Sequence, residues 1–349
     1  MTDQPDQGPW FDDFALGQHI VHAIPRTVSE GEAAVYFALT GARSPIASAD
    51  ETARLCGLPQ RPLDYWLLFN LAFGKTVREI SANAIANLGY AELRFLAPAF
   101  AGDTLRCESD VIGLRVTSKG DAGIVYVRST CLNQRDEQIL TWVRWVLLPR
   151  REVKRPRPDP EVPDLAVAVA PDQICCPLGL GDRATVNRWC EATGSARLWE
   201  DYKPGQLIVH PMAMKVEESD HMSATRLYQN LAQVHFIRGA NQSPPLVYGG
   251  HVISLCQALA HDGLENLIHP VAVNAGRHRA PVRAGDELRA VTRIVDRYPV
   301  PDRSDIAAIR LRMLGLRNLS AHTAAAVEPD DPNVVLDLDY TAVIPRGDS

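Results

Sequence analysis

The same sequence pattern occurs twice in this chain. Residues 10–22 contain an acidic residue, an aromatic residue, Gly-Gln and Ile-Val-His, and the same order recurs in residues 199–210 after a shift of 188. Residues 97–106 and 280–289 are identical at seven of ten positions, after a shift of 183. Two matches in the same order and with nearly the same shift indicate a tandem duplication. The chain must therefore fold as two related modules.

The join between the modules is also visible in the sequence. Residues 150–164 carry Pro156, Pro158, Pro160 and Pro163 among charged residues, a composition typical of a stiff, extended linker. We predict an N-terminal module over residues 8–150, a linker and connecting segment over 151–194, and a C-terminal module over 195–346. A chain of 349 residues is long enough for two such domains.

Composition excludes several classes of protein. The chain is 46% apolar and 22% charged, with a net charge of −6, so a nucleic-acid partner is not expected. Residues 1–9 are polar and do not resemble a signal peptide, and no apolar run approaches the ~20 residues that span a bilayer. The seven cysteines are odd in number and contain no CxxC pair, which favours reduced thiols over disulfides or a zinc site. We expect a cytoplasmic protein.

Both modules have the same predicted order of elements. A Gly-Gln turn leads into a short strand, and a helix follows that opens at Ser29, with Glu32, or at Ser219. An apolar helix comes next, and β-branched and aromatic residues then predict three strands. The apolar helices are expected over about 64–77 and 248–261, and the strands over 106–114, 124–133, 139–148, 289–295, 306–316 and 334–345. An apolar helix wrapped by an antiparallel sheet in each module predicts an α+β, tandem hotdog fold.

The repeated Pro-x-x-x-Gly-Asp-x-Leu string resembles the MaoC-type dehydratases, or R-specific enoyl-CoA hydratases. In that family an Asp and a His in one loop activate a water that adds across the 2,3-double bond of an acyl-CoA thioester. At a shift of 188, Ala42 and Ala47 occupy those positions in the first module, which is therefore expected to be chemically silent. In the second module, Asn230 and His235 occupy them.

Asn230 departs from the family pattern, because a carboxamide cannot act as a base, although it can hold a water by hydrogen bonds. The acid–base work is then expected to fall on His235, whose ordinary pKa of ~6.5 suits proton transfer at neutral pH. Without the resemblance, His235 would be read as a structural histidine and Asn230 as a turn residue.

The family's second motif is a helix opened by His-Gly. Here the string is Tyr248-Gly249-Gly250-His251, followed by an apolar run. Free N–H groups at a helix start favour developing negative charge on a thioester oxygen, although Gly-Gly is also typical of a tight turn. His251 could face the pocket or cap the helix. The first module has Tyr65-Trp66 at this point, so bulk is expected to fill its helix entrance and to shorten the room for an acyl chain.

Substrate-binding candidates follow from position and charge. Asn274, Arg277 and His278 lie just before the repeated Ala-Pro string, near where family members hold substrate. A free carboxylate on the substrate would need a cation, and Arg226, Arg277 and Arg279 are candidates, with Arg226 favoured. Arg277 could equally be a solvated surface residue.

A narrower resemblance covers nearly the whole chain. Strings at residues 74–77, 83–90, 224–230, 248–251 and 334–341 resemble the mesaconyl-CoA hydratases, also called β-methylmalyl-CoA dehydratases. This resemblance implies reversible hydration of mesaconyl-CoA to β-methylmalyl-CoA, as in the ethylmalonyl-CoA route of acetate assimilation. It implies no metal or redox cofactor, since coenzyme A arrives as part of the substrate. A homo-oligomer, either a dimer or a trimer, is expected.

Three alternatives stay open on the sequence. A straight-chain R-specific enoyl-CoA hydratase would need a wide apolar tunnel. A hotdog thioesterase usually has a carboxylate on or near its central helix, and residues 248–261 contain no Asp or Glu. A non-enzymatic acyl-CoA-binding module would fit the loss of the Asp, but not the retention of His235.

Overall fold

The structure is a computed structural model that describes residues 8–153, 159–174, 176–239 and 243–347. Pro156 and Pro158 of the predicted linker, Cys175 and residues 1–7 lie outside the described residues. Among the described ranges, no helix is long and apolar enough to cross a membrane.

The first module contains five helices and six strands within its described residues. The helices are α1 (Glu30–Thr40), α2 (Pro45–Ser48), α3 (Asp50–Leu55), α4 (Tyr65–Lys75) and α5 (Val77–Ile80). The strands are β1 (His19–Val21), β2 (Arg26–Thr27), β3 (Ala86–Phe95), β4 (Thr104–Val116), β5 (Ala122–Leu132) and β6 (Gln138–Pro149).

The rest of the described chain repeats this plan after a connecting helix, α6 (Arg183–Thr193). The second module's helices are α7 (Glu218–Leu227), α8 (Gly249–Leu259) and α9 (Ala321–Ala324). Its strands are β7 (Leu207–Val209), β8 (Met214–Lys215), β9 (His269–His278), β10 (Glu287–Pro299), β11 (Ile306–Arg317) and β12 (Val334–Pro345).

All pairings between these strands are antiparallel, and their order shows the duplication. The sheet runs β1-β4-β5-β6-β3-β9-β12-β11-β10-β7, with β2 on β4 and β8 on β10. Equivalent strands occur in reverse order in the second half of the sheet, and β3 pairs with β9 at the centre. Each half curves around its own apolar helix, α4 or α8, and the two helices contact each other. The predicted α+β tandem hotdog fold is confirmed.

Repeated residues make repeated contacts. The turns at Gly102 and Gly285 both have a left-handed φ, of 96° and 95°. The next residue, Asp103 or Asp286, accepts a hydrogen bond from the backbone N–H three residues earlier, at 2.8 and 2.9 Å. The buried His22 and His210 likewise each lie 2.8 Å from a hydroxyl on the neighbouring strand. The identical residues are therefore those that build the same turns in both modules.

Helix starts were predicted with mixed success. Ser29 caps α1, and Glu32 completes a capping box, as predicted. The prediction for Ser219 was wrong, because α7 begins at Glu218 and its N-cap is Glu217. The strands β3 and β9, which join the modules, were not predicted.

The two central helices approach each other and the neighbouring loops closely at glycines. A Cβ on Gly74 of α4 would lie 1.8 Å from the carbonyl oxygen of Tyr228, and one on Gly250 of α8 would lie 1.9 Å from Oδ1 of Asn70. Gly74 thus lets the loop that follows α7 rest directly on α4 of the other module. That loop carries Asn230.

Candidate active site

A cavity of about 290 Å³ lies where the two modules meet. The second module lines it with the loop of Asn230 and His235, the start of α8 and the end of β9. The first module contributes the end of α4, the following turn, β3 and β6. The chemistry-bearing wall and the opposite wall therefore belong to different modules.

His235 is held in one orientation by the backbone. It ends a short 3-10 turn, Gln233–His235, and its Nδ1 lies 2.9 Å from the carbonyl oxygen of Leu246. A carbonyl can only accept, so Nδ1 carries the hydrogen and Nε2 is left with a lone pair. Burial, with a smaller contribution from the nearby His221, lowers the pKa of His235 to about 4, although the hydrogen bond with Leu246 opposes the shift. The imidazole is therefore neutral at physiological pH and able to take a proton.

Asn230 is buried and its backbone is fixed on both sides. Gln229 has a left-handed φ of 55°, and the N–H of Asn230 donates to the carbonyl of Thr225 at 3.1 Å. Its Oδ1 accepts from the N–H of Ala232 at 3.1 Å. The amide Nδ2 is therefore the side-chain atom that can donate to a water, while Oδ1 is already engaged.

The start of α8 faces the cavity without a side-chain cap. Its N-cap residue, Tyr248, makes no capping hydrogen bond, so the first N–H groups of the helix remain available to a ligand. Gly249 lines the cavity, and a Cβ there would lie 2.4 Å from Nε2 of His278. Gly250 serves packing instead, since its own Cβ would meet Asn70.

His278 joins this group from β9. Its Nε2 lies 3.1 Å from the hydroxyl of Tyr90 on β3, so the contact crosses from one module to the other. Burial, with a smaller contribution from the nearby His235, lowers the pKa of His278 to about 4. Two neutral imidazoles thus line the same cavity.

The structure brings together six of the residues expected at or near the site: Asn230, His235, Tyr248, Gly249, His278 and Arg279. His251 does not line the cavity: it is buried within α8, with Nδ1 3.5 Å from the hydroxyl of Tyr228.

The three other candidates lie elsewhere. Arg226 is exposed, and its guanidinium donates to the hydroxyl of Ser223 at 3.1 Å. Arg277 is also exposed and does not line the cavity, because alternate side chains of a strand point to opposite faces and His278 takes the inner one. Asn274 is buried, but it holds the connecting segment by accepting from the N–H of Val169 and donating to Asp339.

Tyr65 and Trp66 fill the helix entrance of the first module, as expected, but the expected shortening of the acyl room was wrong. Tyr65 stacks on His269, with ring centroids 4.7 Å apart, and Trp66 lines a smaller pocket of about 80 Å³ together with Ala42. Neither ring reaches the larger cavity. They fill the first module's own counterpart of the site and do not shorten the acyl room of the second.

Sequence reasoning missed the wall that the first module supplies: Phe73, Asn87, Tyr90 and Arg144 all line the cavity. One signal was available. Arg144 is the only charge in the run Ile139–Leu148, at an inward position of a strand that is otherwise apolar.

Known proteins resemble this chain over almost its full length. A sequence profile of mesaconyl-CoA hydratases matches residues 1–158. The mesaconyl-CoA hydratase of Cereibacter sphaeroides is 46% identical over 344 residues, which cover 97% of this chain and 98% of that protein. The β-methylmalyl-CoA dehydratase of Chloroflexus aurantiacus is 42% identical and covers 99% of both chains.

Solved structures agree with the fold. A crystal structure of a protein described as a MaoC domain dehydratase, also from Chloroflexus aurantiacus, has a TM-score of 0.93 at 43% identity and covers 99% of both chains. A Mycobacterium tuberculosis protein with a double hotdog fold has a TM-score of 0.80 at 27% identity, covering 97% of this chain and 99% of its own.

Proposed function

Because this chain belongs to the mesaconyl-CoA hydratase family, we propose that it interconverts mesaconyl-CoA and β-methylmalyl-CoA by adding and removing water. The observation that carries the proposal is the sequence identity of 46% and 42%, over nearly the whole chain, to two enzymes that are named for the two directions of this reaction. The cavity supplies groups suited to it. A neutral imidazole, a carboxamide donor and an uncapped helix start converge there.

The hydration begins at the β-carbon of the enoyl thioester, which also bears the free carboxylate. Nδ2 of Asn230 donates to the water oxygen, and Nε2 of His235 accepts one of the water protons. The remaining hydroxyl bonds to the β-carbon while the double-bond electrons move to the thioester oxygen. The N–H groups at the start of α8 stabilise that negative charge.

The addition ends when the proton held by His235 passes to the α-carbon and the thioester carbonyl reforms. One water has then been added, and the imidazole is neutral again. The reaction transfers no electrons to an acceptor, so we propose that it uses no redox cofactor, and the family resemblance supports the proposal that it uses no metal. We further propose a cytoplasmic location, supported by the odd number and irregular spacing of the cysteines, and a homo-oligomer, which the family resemblance alone supports.

The substrate assignment is tested by measuring kcat/KM for mesaconyl-CoA, crotonyl-CoA and octenoyl-CoA with the purified chain. We expect mesaconyl-CoA to be preferred. Preference for octenoyl-CoA would replace the diacid by a straight-chain substrate and leave the hydratase chemistry standing. Hydration of none of the three, with thioester binding retained, would instead indicate an acyl-CoA-binding module.

A further inference from the structure

Arg144 is a fully buried cation on the wall that the first module gives to the cavity. It lies on β6 opposite Tyr90 of β3. One guanidinium nitrogen donates to the hydroxyl of Ser81 at 3.1 Å, and another donates to the hydroxyl of Thr76 at 2.9 Å. The group lies 4.2 Å above the ring of Phe73. These contacts hold the guanidinium flat against the end of α4.

All of these partners are neutral. Within the described residues no carboxylate lies within 4.0 Å of Arg144, and its buried Nε has no acceptor. Burial lowers the pKa of Arg144 to about 10, so the group is still charged at neutral pH. Two arginines of the second module differ, because each pairs with a carboxylate: Arg310 with Asp339, and Arg312 with Asp337.

A second polar group on the same wall also lacks partners. Asn87 of β3 lines the cavity, and both its Oδ1 and its Nδ2 are buried without a hydrogen bond. Asn87 pairs with Val146, two residues from Arg144 on the same face of the sheet. A buried cation without a counter-ion and a buried amide N–H without an acceptor each cost free energy, and a carboxylate with two accepting oxygens would supply what both lack.

We propose that Arg144, with Asn87 beside it, binds the free carboxylate of a dicarboxylic acyl thioester. The inference rests on the proposed hydratase function and adds to it the group that selects the diacid. The carboxylate is attached to the carbon that receives the hydroxyl. Holding the carboxylate on the first module's wall therefore presents that carbon to His235 and Asn230 on the opposite wall. The module without acid–base residues becomes the one that sets specificity.

The test compares two thioesters of the same shape, mesaconyl-CoA and 2-methylcrotonyl-CoA, in which a methyl group replaces the carboxylate. In Arg144→Met we expect kcat/KM for mesaconyl-CoA to fall by about 30-fold or more, as for removal of one partner of a buried charge pair. The value for 2-methylcrotonyl-CoA should change by less than about 3-fold. Arg144→Lys, which keeps the charge but loses the fork, should fall between them.

A second variant guards against a folding defect at Arg144. Asn87→Leu keeps the charge and should lower only the mesaconyl-CoA value, by about 5- to 10-fold, the loss of one buried hydrogen bond. The inference is overturned if both substrates lose activity equally in Arg144→Lys and Asn87→Leu, or if neither does. Failure of the proposed function is a different result, since the unmodified chain would then not hydrate mesaconyl-CoA at all.

Discussion

The two central helices begin in opposite ways. In the first module Asp64 caps α4, and its Oδ1 accepts from the N–H groups of Trp66 and Leu67 at 2.9 and 3.4 Å. In the second module the N-cap of α8 is Tyr248, which makes no capping hydrogen bond. The first helix therefore uses its free donors for its own stability, whereas the second leaves them to the cavity. The two modules share a fold, but the start of the central helix is capped by a side chain in the first and uncapped in the second.

The rest of each site follows the same division. The first module has Ala42 and Ala47 where the second has Asn230 and His235, and its pocket is about 80 Å³ against about 290 Å³. The first module nevertheless contributes to the larger cavity, because Tyr90 and Arg144 line it. A duplicated module can lose its acid–base residues and still supply one wall of its partner's site.

The largest effect is expected from removing the imidazole of His235, whose counterpart in the first module is Ala47. His235→Ala should lower kcat by about 10²–10⁴-fold, the usual range for loss of a general acid–base group. The matched control is His261→Ala, which removes a half-buried histidine from the smaller pocket of the first module and should leave kcat within about 2-fold. Steady-state kinetics on both variants decide the matter, and normal turnover in a folded His235→Ala enzyme would refute the assignment.

The difference between the helix starts can be erased by giving α8 the cap that α4 has. Tyr248→Asp would place a carboxylate on the first N–H groups and next to the developing negative charge. We expect kcat to fall by about 10²–10³-fold, the range for loss of an oxyanion donor. Tyr248→Phe is the control: it removes only a buried hydroxyl that has no partner, so its kcat should stay within about 3-fold. Equal losses in the two variants would mean that the hydroxyl of Tyr248, and not the open helix start, is what matters.

A smaller effect is expected at Asn230. Asn230→Ala removes one hydrogen bond to the water and should slow the reaction by about 5- to 100-fold. Asn230→Asp restores the family's carboxylate, which raises the pKa of the nearby His235.

The pH profile of Asn230→Asp shows in which direction the new carboxylate shifts the pKa of His235. In the unmodified enzyme His235 must be neutral to accept a proton, and with a pKa of about 4 it stays so until the solution is strongly acidic. In Asn230→Asp the acid side of the kcat/KM profile should move to higher pH. An unchanged profile, together with an unchanged rate in Asn230→Ala, would remove Asn230 from the site.

The sequence predicted the duplication, the fold and the loop of Asn230 and His235, because those depend on local strings and on hydrophobic periodicity. It failed where contacts join the modules. Arg226 stands four residues before Asn230 but on an exposed face of α7, whereas Arg144 reaches the cavity only because β3 pairs with β9 across the molecule. The expected effect of Tyr65 and Trp66 on the acyl room was wrong for the same reason. Single-module reasoning cannot show which wall faces which cavity.

The smallest effect is expected at Asp64, where the closed helix start serves stability alone. Asp64→Ala removes the cap and should lower the free energy of unfolding by about 0.5–2 kcal/mol, while kcat stays within about 2-fold. Burial raises the pKa of Asp64, so the folded chain binds its proton more tightly than the unfolded chain does. Stability contributed by the protonated group is then lost as the pH rises from the ordinary carboxyl range through that raised pKa.

Asp64→Asn isolates this charge, because the amide oxygen still accepts from the N–H of Trp66 and cannot ionise. Denaturant unfolding of Asp64→Asn and the unmodified chain from pH 4 to pH 8 should therefore show the variant gaining relative stability as the pH rises. A relative stability that is constant with pH would mean that Asp64 does not titrate differently in the folded chain. If Asp64→Ala lost as much turnover as Tyr248→Asp, the start of α4 would also take part in the reaction. The contrast between the two helices would then be wrong.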